Sequence, residues 1–370
     1  MDSLSIIQVI TLVFVVSFCL SAVIWCTRRF QMSYINRRGD IGSVQSSHSV
    51  PTPRLGGVAI VFALSLGSFL IPGDFGDATS LLLLCLAPLF AGGIWEDIGN
   101  GVSPRRRMAL AALSTLLAVA VFGIWVDRVG VLVVDWALGF APVGIAFTIF
   151  AVVGVTNAFN LIDGMNGLSI SVSITVATAL GYVAAVNGVL ELAQASALVI
   201  GALGGFLFVN YPFGKVFLGD AGAYSVGFIL ASIAVALMHF APDVSPAAVL
   251  LIFFWPVADT VLAIYRRRVQ GRPSDKPDRL HFHQLMMRVL EISLVGRKRR
   301  ALANPLATAF ILPMAAAPML AGVVLSDSNA GAFAALFVFA VLFFVSYKLG
   351  IRWARSRPNR SAQPKASRRL

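Results

Sequence analysis

Eleven stretches of this chain are apolar for long enough to cross a bilayer, and that excludes nearly every water-soluble fold. A helix needs about 20 consecutive apolar residues to span the hydrocarbon core. Runs on that scale occur near 6–26, 55–71, 79–95, 108–126, 139–157, 168–186, 190–210, 222–239, 246–265, 304–325 and 331–349. The 370 residues are 58% hydrophobic and only 12% charged, against about 25% charged in soluble domains. The sequence therefore predicts an all-α, polytopic transmembrane helix bundle of about eleven spans. One integral membrane domain is expected over 1–351. Residues 352–370, basic and rich in Ser, Pro and Arg, form a tail expected to lie disordered against anionic lipid. The first run lacks a basic leader and exceeds the apolar core of a cleaved signal, so it is read as a span. Cys19, Cys26 and Cys85 sit in apolar runs and have no disulfide or zinc spacing.

The placement of Lys and Arg orients the bundle. With residues 28–54 on the cytoplasmic side, alternate connections carry five basic residues (28–54), three (96–107), none (157–167), one (211–221), eleven (266–303) and eight (from Lys348 on). Those segments hold 28 of the 29 Lys and Arg residues, and only Arg128 falls outside. A wrong span count would scramble this parity. The bias therefore supports both the count and a cytoplasmic C-terminus. The net charge of +12 reads as this topology signal and not as a nucleic-acid surface, because the basic residues hug the span ends.

Five polar islands interrupt the apolar pattern, all on the predicted cytoplasmic side. Asn157-Ala-Phe-Asn160-Leu-Ile-Asp163-Gly-Met-Asn166-Gly-Leu168 lies between two spans, with Asn157, Asn160 and Asp163 spaced to share one helix face. Polar groups at membrane depth are costly unless they line a wet site. Pro51-Thr-Pro-Arg54-Leu-Gly-Gly57 precedes the second run and fixes a cation at the interface, as an anchor or as a ligand. Glu96-Asp97 stands before Arg105, Arg106 and Arg107; these carboxylates are either solvated loop charge or need a cation beside them. Lys215-Val-Phe-Leu-Gly-Asp220-Ala-Gly222 displays a carboxylate at a helix start, as an N-cap or as a hard oxygen ligand for Mg²⁺. The fifth island joins Asp259 and Arg266, Arg267 and Arg268 to Pro277-Asp-Arg279-Leu-His281-Phe-His283-Gln284. A His pair near Arg suits an anionic phosphate, and it equally suits a solvated basic loop. Asp259 suits a structural ion pair with a nearby Arg.

Carboxylates that recruit Mg²⁺, with Arg and His to neutralise phosphate oxygens, form the kit for phosphoryl-type transfer. Set in a membrane, that kit implies a lipid substrate and a soluble anionic nucleotide donor. Two rival readings are a secondary transporter and a non-catalytic scaffold that binds lipid phosphate. Against the first, no internal repeat is visible and the polar groups gather on one face.

In the order and spacing of these five islands, from Pro51 to about Arg288, the chain resembles the polyprenyl-phosphate N-acetylhexosamine-1-phosphate transferase family (glycosyltransferase family 4). It is most similar to the branch that acts with GlcNAc. The resemblance implies ten or eleven spans with a cytoplasmic active-site cleft in the bacterial inner membrane. It implies transfer of a sugar-1-phosphate from a UDP-sugar to undecaprenyl phosphate, with release of UMP and with Mg²⁺ or Mn²⁺. That step would initiate O-antigen or another cell-surface polysaccharide. By this match Asp97, beside Glu96, would deprotonate or orient the lipid phosphate. Asp220 and Asp163 would hold metal, with Asp163 also at the reacting centre. His281 and His283 would steady the donor. Asn157, Asn160, Asn166, Arg54, Lys215 and Arg279 complete the expected substrate-binding set. A homodimer is one assembly open to such a protein. The chain departs from the pattern at Glu96, where Asp is usual, at Asn166, where a second acid is usual, and at Gln284, where a further His is common. The loss of charge at Asn166 puts the donor sugar in question, and a 6-deoxy-N-acetylhexosamine is one candidate.

Overall fold

A computed structural model describes residues 4–30, 52–269, 280–296 and 299–356. Those residues fold into a polytopic bundle of helices with no strand. The helices are α1 (Ile6–Cys26), α2 (Gly56–Leu70), α3 (Asp74–Asp97), α4 (Pro104–Phe122), α5 (Leu132–Leu138), α6 (Ala141–Ile162), α7 (Leu168–Val186), α8 (Leu190–Asn210), α9 (Gly219–Phe240), α10 (Pro246–Ile252), α11 (Phe254–Val269), α12 (Phe282–Leu290), α13 (Arg300–Val324) and α14 (Asn329–Ser356). A single π turn, Glu291–Val295, follows α12.

Each of the eleven apolar runs is helical, but eight of these helices (α1, α3, α6–α9, α13, α14) are long and apolar enough to cross a membrane unaided. The pair α10 and α11, bent by 82° at its break, is apolar enough to form a ninth, broken span or a re-entrant segment. Among the rest, α2 is only 15 residues, because Pro72 cannot continue a helix and restrains the residue before it. Helix α4 carries Arg105, Arg106 and Arg107 in its first turn. Helix α14 continues through Ser356, so it takes in the first residues of the expected tail; residues 357–370 lie outside the described ones.

Three helices extend past their apolar runs, and this places the polar islands. Helix α3 ends on Asp97, so Glu96 and Asp97 belong to its last turn and not to a loop. Helix α6 carries Asn157 and Asn160 in its last turns and is C-capped by Asp163. Helix α9 begins at Gly219, which puts Asp220 in its first turn.

The centre of the bundle is α9, buried along most of its length and packed by α2, α3, α6, α7 and α8. Its small residues let backbones meet, as helix pairs in membranes require. A methyl group at Gly57 or Gly93 would overlap the backbone of Gly222 or Ala221. The far end of α9 is closed by Arg128, the one cation outside the parity pattern. Its guanidinium donates to the carbonyls of Met238 (2.9 Å), Ala241 (3.3 Å) and Val244 (2.9 Å). A cation there satisfies terminal carbonyls and complements the negative end of the helix dipole. Replacing Arg128 with Gln should cost about 2 kcal/mol or more, because charge-assisted bonds to buried carbonyls are lost. Thermal unfolding of the purified protein in detergent checks this, and an unchanged midpoint would remove the capping role.

Candidate active site

Four of the islands meet at the opposite end, around the start of α9. Residues 53–57 lie along 217–218. Phe217 N–H donates to the Pro53 carbonyl (2.8 Å), and the N–H groups of Gly56 and Gly57 donate to the carbonyls of Phe217 (3.0 Å) and Leu218 (2.9 Å). Gly219 then turns the chain into α9 with φ +77°, a region that L side chains rarely adopt. A Cβ there would also strike the Arg54 carbonyl and the Asp97 carboxylate. This pairing sets Arg54 beside Asp220.

Asp97 is wholly buried. Its Oδ1 accepts the N–H of Asp220 (3.0 Å) and its Oδ2 the N–H of Ala221 (2.8 Å). The last residue of α3 thus caps α9, which has no cap from its own side chains. Asp220 presents both oxygens to cations or donors. Oδ1 accepts from Arg54 Nη2 (3.1 Å) and Asn160 Nδ2 (3.2 Å), and Oδ2 from Arg107 Nη1 (2.7 Å). Arg54 Nε also lies 3.5 Å from Asp97 Oδ1. A buried carboxylate persists only with such pairing. The Arg54 and Arg107 side chains are 33% and 21% exposed, so the cluster opens outward on their side. Of the three consecutive arginines, Arg105 and Arg106 are exposed and only Arg107 turns inward. Glu96 accepts the Val102 N–H and braces the turn into α4.

Asp163 joins this cluster electrostatically. Burial pushes its carboxyl up to about 7; Arg54 pulls it down, and the negative charges of Asp220 and Asp97 push it further up. Four carboxylates, Glu96, Asp97, Asp163 and Asp220, thus gather with two guanidiniums at one end of the bundle.

The fifth island reaches the same place through His283. A methyl on Gly164, the residue after Asp163, would lie 2.5 Å from His283 Nε2. His281 and His283 are both buried, with near-parallel rings 5.6 Å apart. Burial pushes His283 down to about 4; Asp259 opposes this and His281 adds to it. His283 is therefore neutral at pH 7, which suits hydrogen bonding better than ion pairing with phosphate. Asp259 itself pairs with His281 (3.0 Å) and not with an arginine, which corrects the ion pair expected for it.

The sequence profile of glycosyl transferase family 4 matches residues 79–238, which hold Asp97, Arg107, Asn160, Asp163 and Asp220. The undecaprenyl-phosphate alpha-N-acetylglucosaminyl 1-phosphate transferase of Yersinia pestis is 30% identical over 254 residues, 67% of this chain and 69% of the relative. The protein of the same name from Salmonella typhi is 28% identical over 322 residues, 84% of this chain and 82% of the relative. A probable undecaprenyl-phosphate N-acetylglucosaminyl 1-phosphate transferase of Bacillus subtilis is 27% identical over 267 residues, 70% of this chain and 74% of the relative. The chain belongs to glycosyl transferase family 4.

Other candidates of this family 4 chain take structural partners. Asn157 Nδ2 donates to the Val153 carbonyl of its own helix (2.8 Å). The Lys215 ammonium lies over the Trp25 ring, 4.2 Å from its centroid. Arg279 lies outside the described residues. Asn166 is buried and turned to α13. Its N–H donates to Asn304 Oδ1 (2.9 Å), its carbonyl accepts from Thr308 Oγ1 (2.7 Å), and its Nδ2 donates to the Pro212 carbonyl (2.9 Å). Asn304 and Thr308 open a run that reads from sequence as a plain span. Their four-residue spacing on one helix face was the only signal of this junction.

Among the described residues, no three His, Cys, Asp or Glu side chains form a metal-holding group. Mg²⁺ does not need one; it is commonly held by one or two carboxylates, with waters and substrate phosphates filling its other positions. Asp163 and Asp220 fit that pattern. They are hard oxygen donors in a cluster with surplus negative charge, and the Asp163 carboxylate has no ion pair among the described residues.

Two expectations follow. The substitution Asn166→Asp would introduce an acid and set a carboxylate against the Pro212 carbonyl. It should therefore lose about 1–3 kcal/mol of stability, read as a lowered unfolding midpoint in detergent; an equal or higher midpoint contradicts the junction. Asp163 predicts a pH dependence. Its carboxyl is raised from 3.8 to about 7 on folding, so the folded state holds the proton more tightly. The stabilisation is full below about pH 4 and is lost as pH rises through about 7. In metal-free buffer the unfolding midpoint should fall less steeply between those values in Asp163→Asn than in the unmodified protein. Superimposable profiles would contradict the assignment.

Proposed function

We propose that this protein transfers an N-acetylhexosamine-1-phosphate, or its 6-deoxy derivative, from a UDP-sugar to undecaprenyl phosphate, and so initiates a cell-surface polysaccharide. The observation that carries this reading is Asp220. It is a buried carboxylate at the start of the central helix, held by Arg54, Arg107 and Asn160 from three other segments at one end of a membrane bundle. Membership of family 4 and the names of the relatives support the same chemistry. The Lys and Arg parity supports this end facing the cytoplasm, and the bacterial sources of the relatives support an inner-membrane protein.

In this reading, an oxygen of the lipid phosphate attacks the donor's β-phosphorus. The bond from that phosphorus to the bridging oxygen breaks, and UMP leaves with the electron pair. The lipid phosphate needs little help to ionise, because the second pKa of a phosphate monoester is about 6. Asp97 accordingly serves better as the fixed cap that aims Asp220 than as a strong base, since both its oxygens are engaged by backbone N–H groups. Arg54 and Arg107 are placed to move from Asp220 onto phosphate oxygens, where guanidinium donors bind strongly. Asp220 and Asp163 would hold Mg²⁺ or Mn²⁺, which when bound neutralises charge on the pyrophosphate. Asn160 keeps the Asp220 carboxylate oriented. The buried position of Asn166 makes its influence on the donor sugar indirect, through the 163–167 turn.

The test incubates purified protein with undecaprenyl phosphate, Mg²⁺ and a panel of UDP-N-acetylhexosamines and follows UMP. One donor should release UMP only when lipid is present. Silence with every donor, or uptake into sealed vesicles without UMP, would overturn the reading. Asp220→Asn should lower turnover by about 10²–10³, on the scale of losing much of an electrostatic contribution to the transition state. Near-normal UMP release by that variant would remove Asp220 from the metal site.

A further inference from the structure

Asp259 is a buried carboxylate that the proposed transfer leaves without a role. It lies on α11, and its two oxygens have different partners. Oδ1 accepts the backbone N–H of Phe282 (3.0 Å), and Oδ2 lies 3.0 Å from His281 Nδ1. A carboxylate only accepts, so the imidazole proton must sit on Nδ1. The segment just before His281 is clamped as well. Arg266 Nη1 donates to the Leu280 carbonyl (2.8 Å) and to the Tyr347 hydroxyl oxygen (2.6 Å), and the Tyr347 hydroxyl donates to the same carbonyl (2.9 Å). Trp255, Phe282 and Phe343 pack edge to face or tilted around the same segment. The His281 ring is therefore fixed in position, orientation and tautomer. Its remaining nitrogen, Nε2, is buried and has no hydrogen-bond partner among the described residues. Buried polar atoms without partners are uncommon and carry a desolvation cost.

We infer that Asp259 is a positioning residue that locks His281 as the Nδ1–H tautomer, so that Nε2 is kept as a hydrogen-bond acceptor for a hydroxyl or amide N–H of the bound donor sugar. This rests on the proposed sugar-1-phosphate transfer for its ligand. An acceptor nitrogen selects a neutral donor group of the ligand and disfavours an anionic phosphate oxygen. The tautomer is set by the partner of the other ring nitrogen, as in histidines held by a carboxylate. Replacing that carboxylate by an amide of the same shape inverts the tautomer without removing the contact.

The experiment compares Asp259→Asn and Asp259→Glu with the unmodified protein, labelled with ¹⁵N-histidine in lipid nanodiscs. The ring-nitrogen resonances of His281 are assigned by their loss in His281→Gln. The unmodified protein should show Nδ1 protonated and Nε2 bare, and addition of the active UDP-sugar should shift the Nε2 resonance. Asp259→Asn should move the proton to Nε2 and lower kcat/KM for the UDP-sugar about 10- to 100-fold, mainly through KM. Asp259→Glu, which keeps the acceptor, should restore the tautomer and most of the activity. An unchanged tautomer in Asp259→Asn, or an inverted tautomer with unchanged kcat/KM, overturns the inference. If Asp259→Asn does not fold, an Nε2-protonated His281 in the unmodified protein overturns it alone. The ring-nitrogen spectrum needs no turnover. Failure of every donor to release UMP would therefore sink the proposed reaction while the spectrum still decides whether Asp259 sets the tautomer.

Discussion

The architecture depends on how the two ends of the central helix are satisfied. Helix α9 is buried along most of its length, above all at its start, and terminal N–H and C=O groups left unpaired there cost free energy. Both ends are closed by charged side chains from elsewhere in the chain. The Asp97 carboxylate of α3 takes the N–H groups of Asp220 and Ala221, and the Arg128 guanidinium takes one carbonyl in the last turn and two just past the other end. The negative cap sits at the positive end of the helix dipole and the positive cap at the negative end. Each therefore contributes electrostatically as well as by hydrogen bonding.

This arrangement ties stability to chemistry. The carboxylate that caps α9 also fixes the first turn carrying Asp220, and close backbone packing at Gly57 and Gly93 leaves no slack between α9, α2 and α3. A second buried carboxylate, that of Asp220, is costly unless cations meet it. Arg54 arrives on a segment bonded to 217–218, and Arg107 arrives on the first turn of α4. The site is thus assembled from helix ends together with the segment before α2 and the 163–167 turn. Held from several segments, the cluster has the preorganisation that the proposed transfer would require.

Much of this was legible in the residues. The apolar runs gave the helices because their length and composition leave the backbone little alternative in a bilayer. The polar islands gave the site because charges at span ends need a reason. What sequence could not supply was pairing across long separations. Asp97 and Asp220 are 123 residues apart, and nothing local marks one as the cap of the other. The periodicity of three consecutive arginines could not say which one turns inward. Asp259 read as an ion pair with a nearby Arg, yet its partner is His281, while Arg266 donates to Tyr347 and to the Leu280 carbonyl. The helix ends also ran beyond the apolar runs, since polar residues with tertiary partners extend a helix that hydropathy alone would stop.

Asn166 shows how tightly a residue beside the candidate site is held by its neighbours. The amide donates to the Pro212 carbonyl while its backbone is bonded at both N–H and C=O to Asn304 and Thr308 of α13. Next to it, the Gly167 N–H donates to Asn210 Oδ1 (2.6 Å), and Asn210 Nδ2 donates to the Val216 carbonyl (2.8 Å). One chain of bonds therefore links α13, the 163–167 turn and the segment that leads into Asp220. This chain of bonds couples residues along it to the spacing of Asp163 and Asp220 without contact to either. In the proposed reaction this junction, where amides and hydroxyls set spacing, offers a way to tune donor preference apart from the carboxylates and guanidiniums that would meet phosphate.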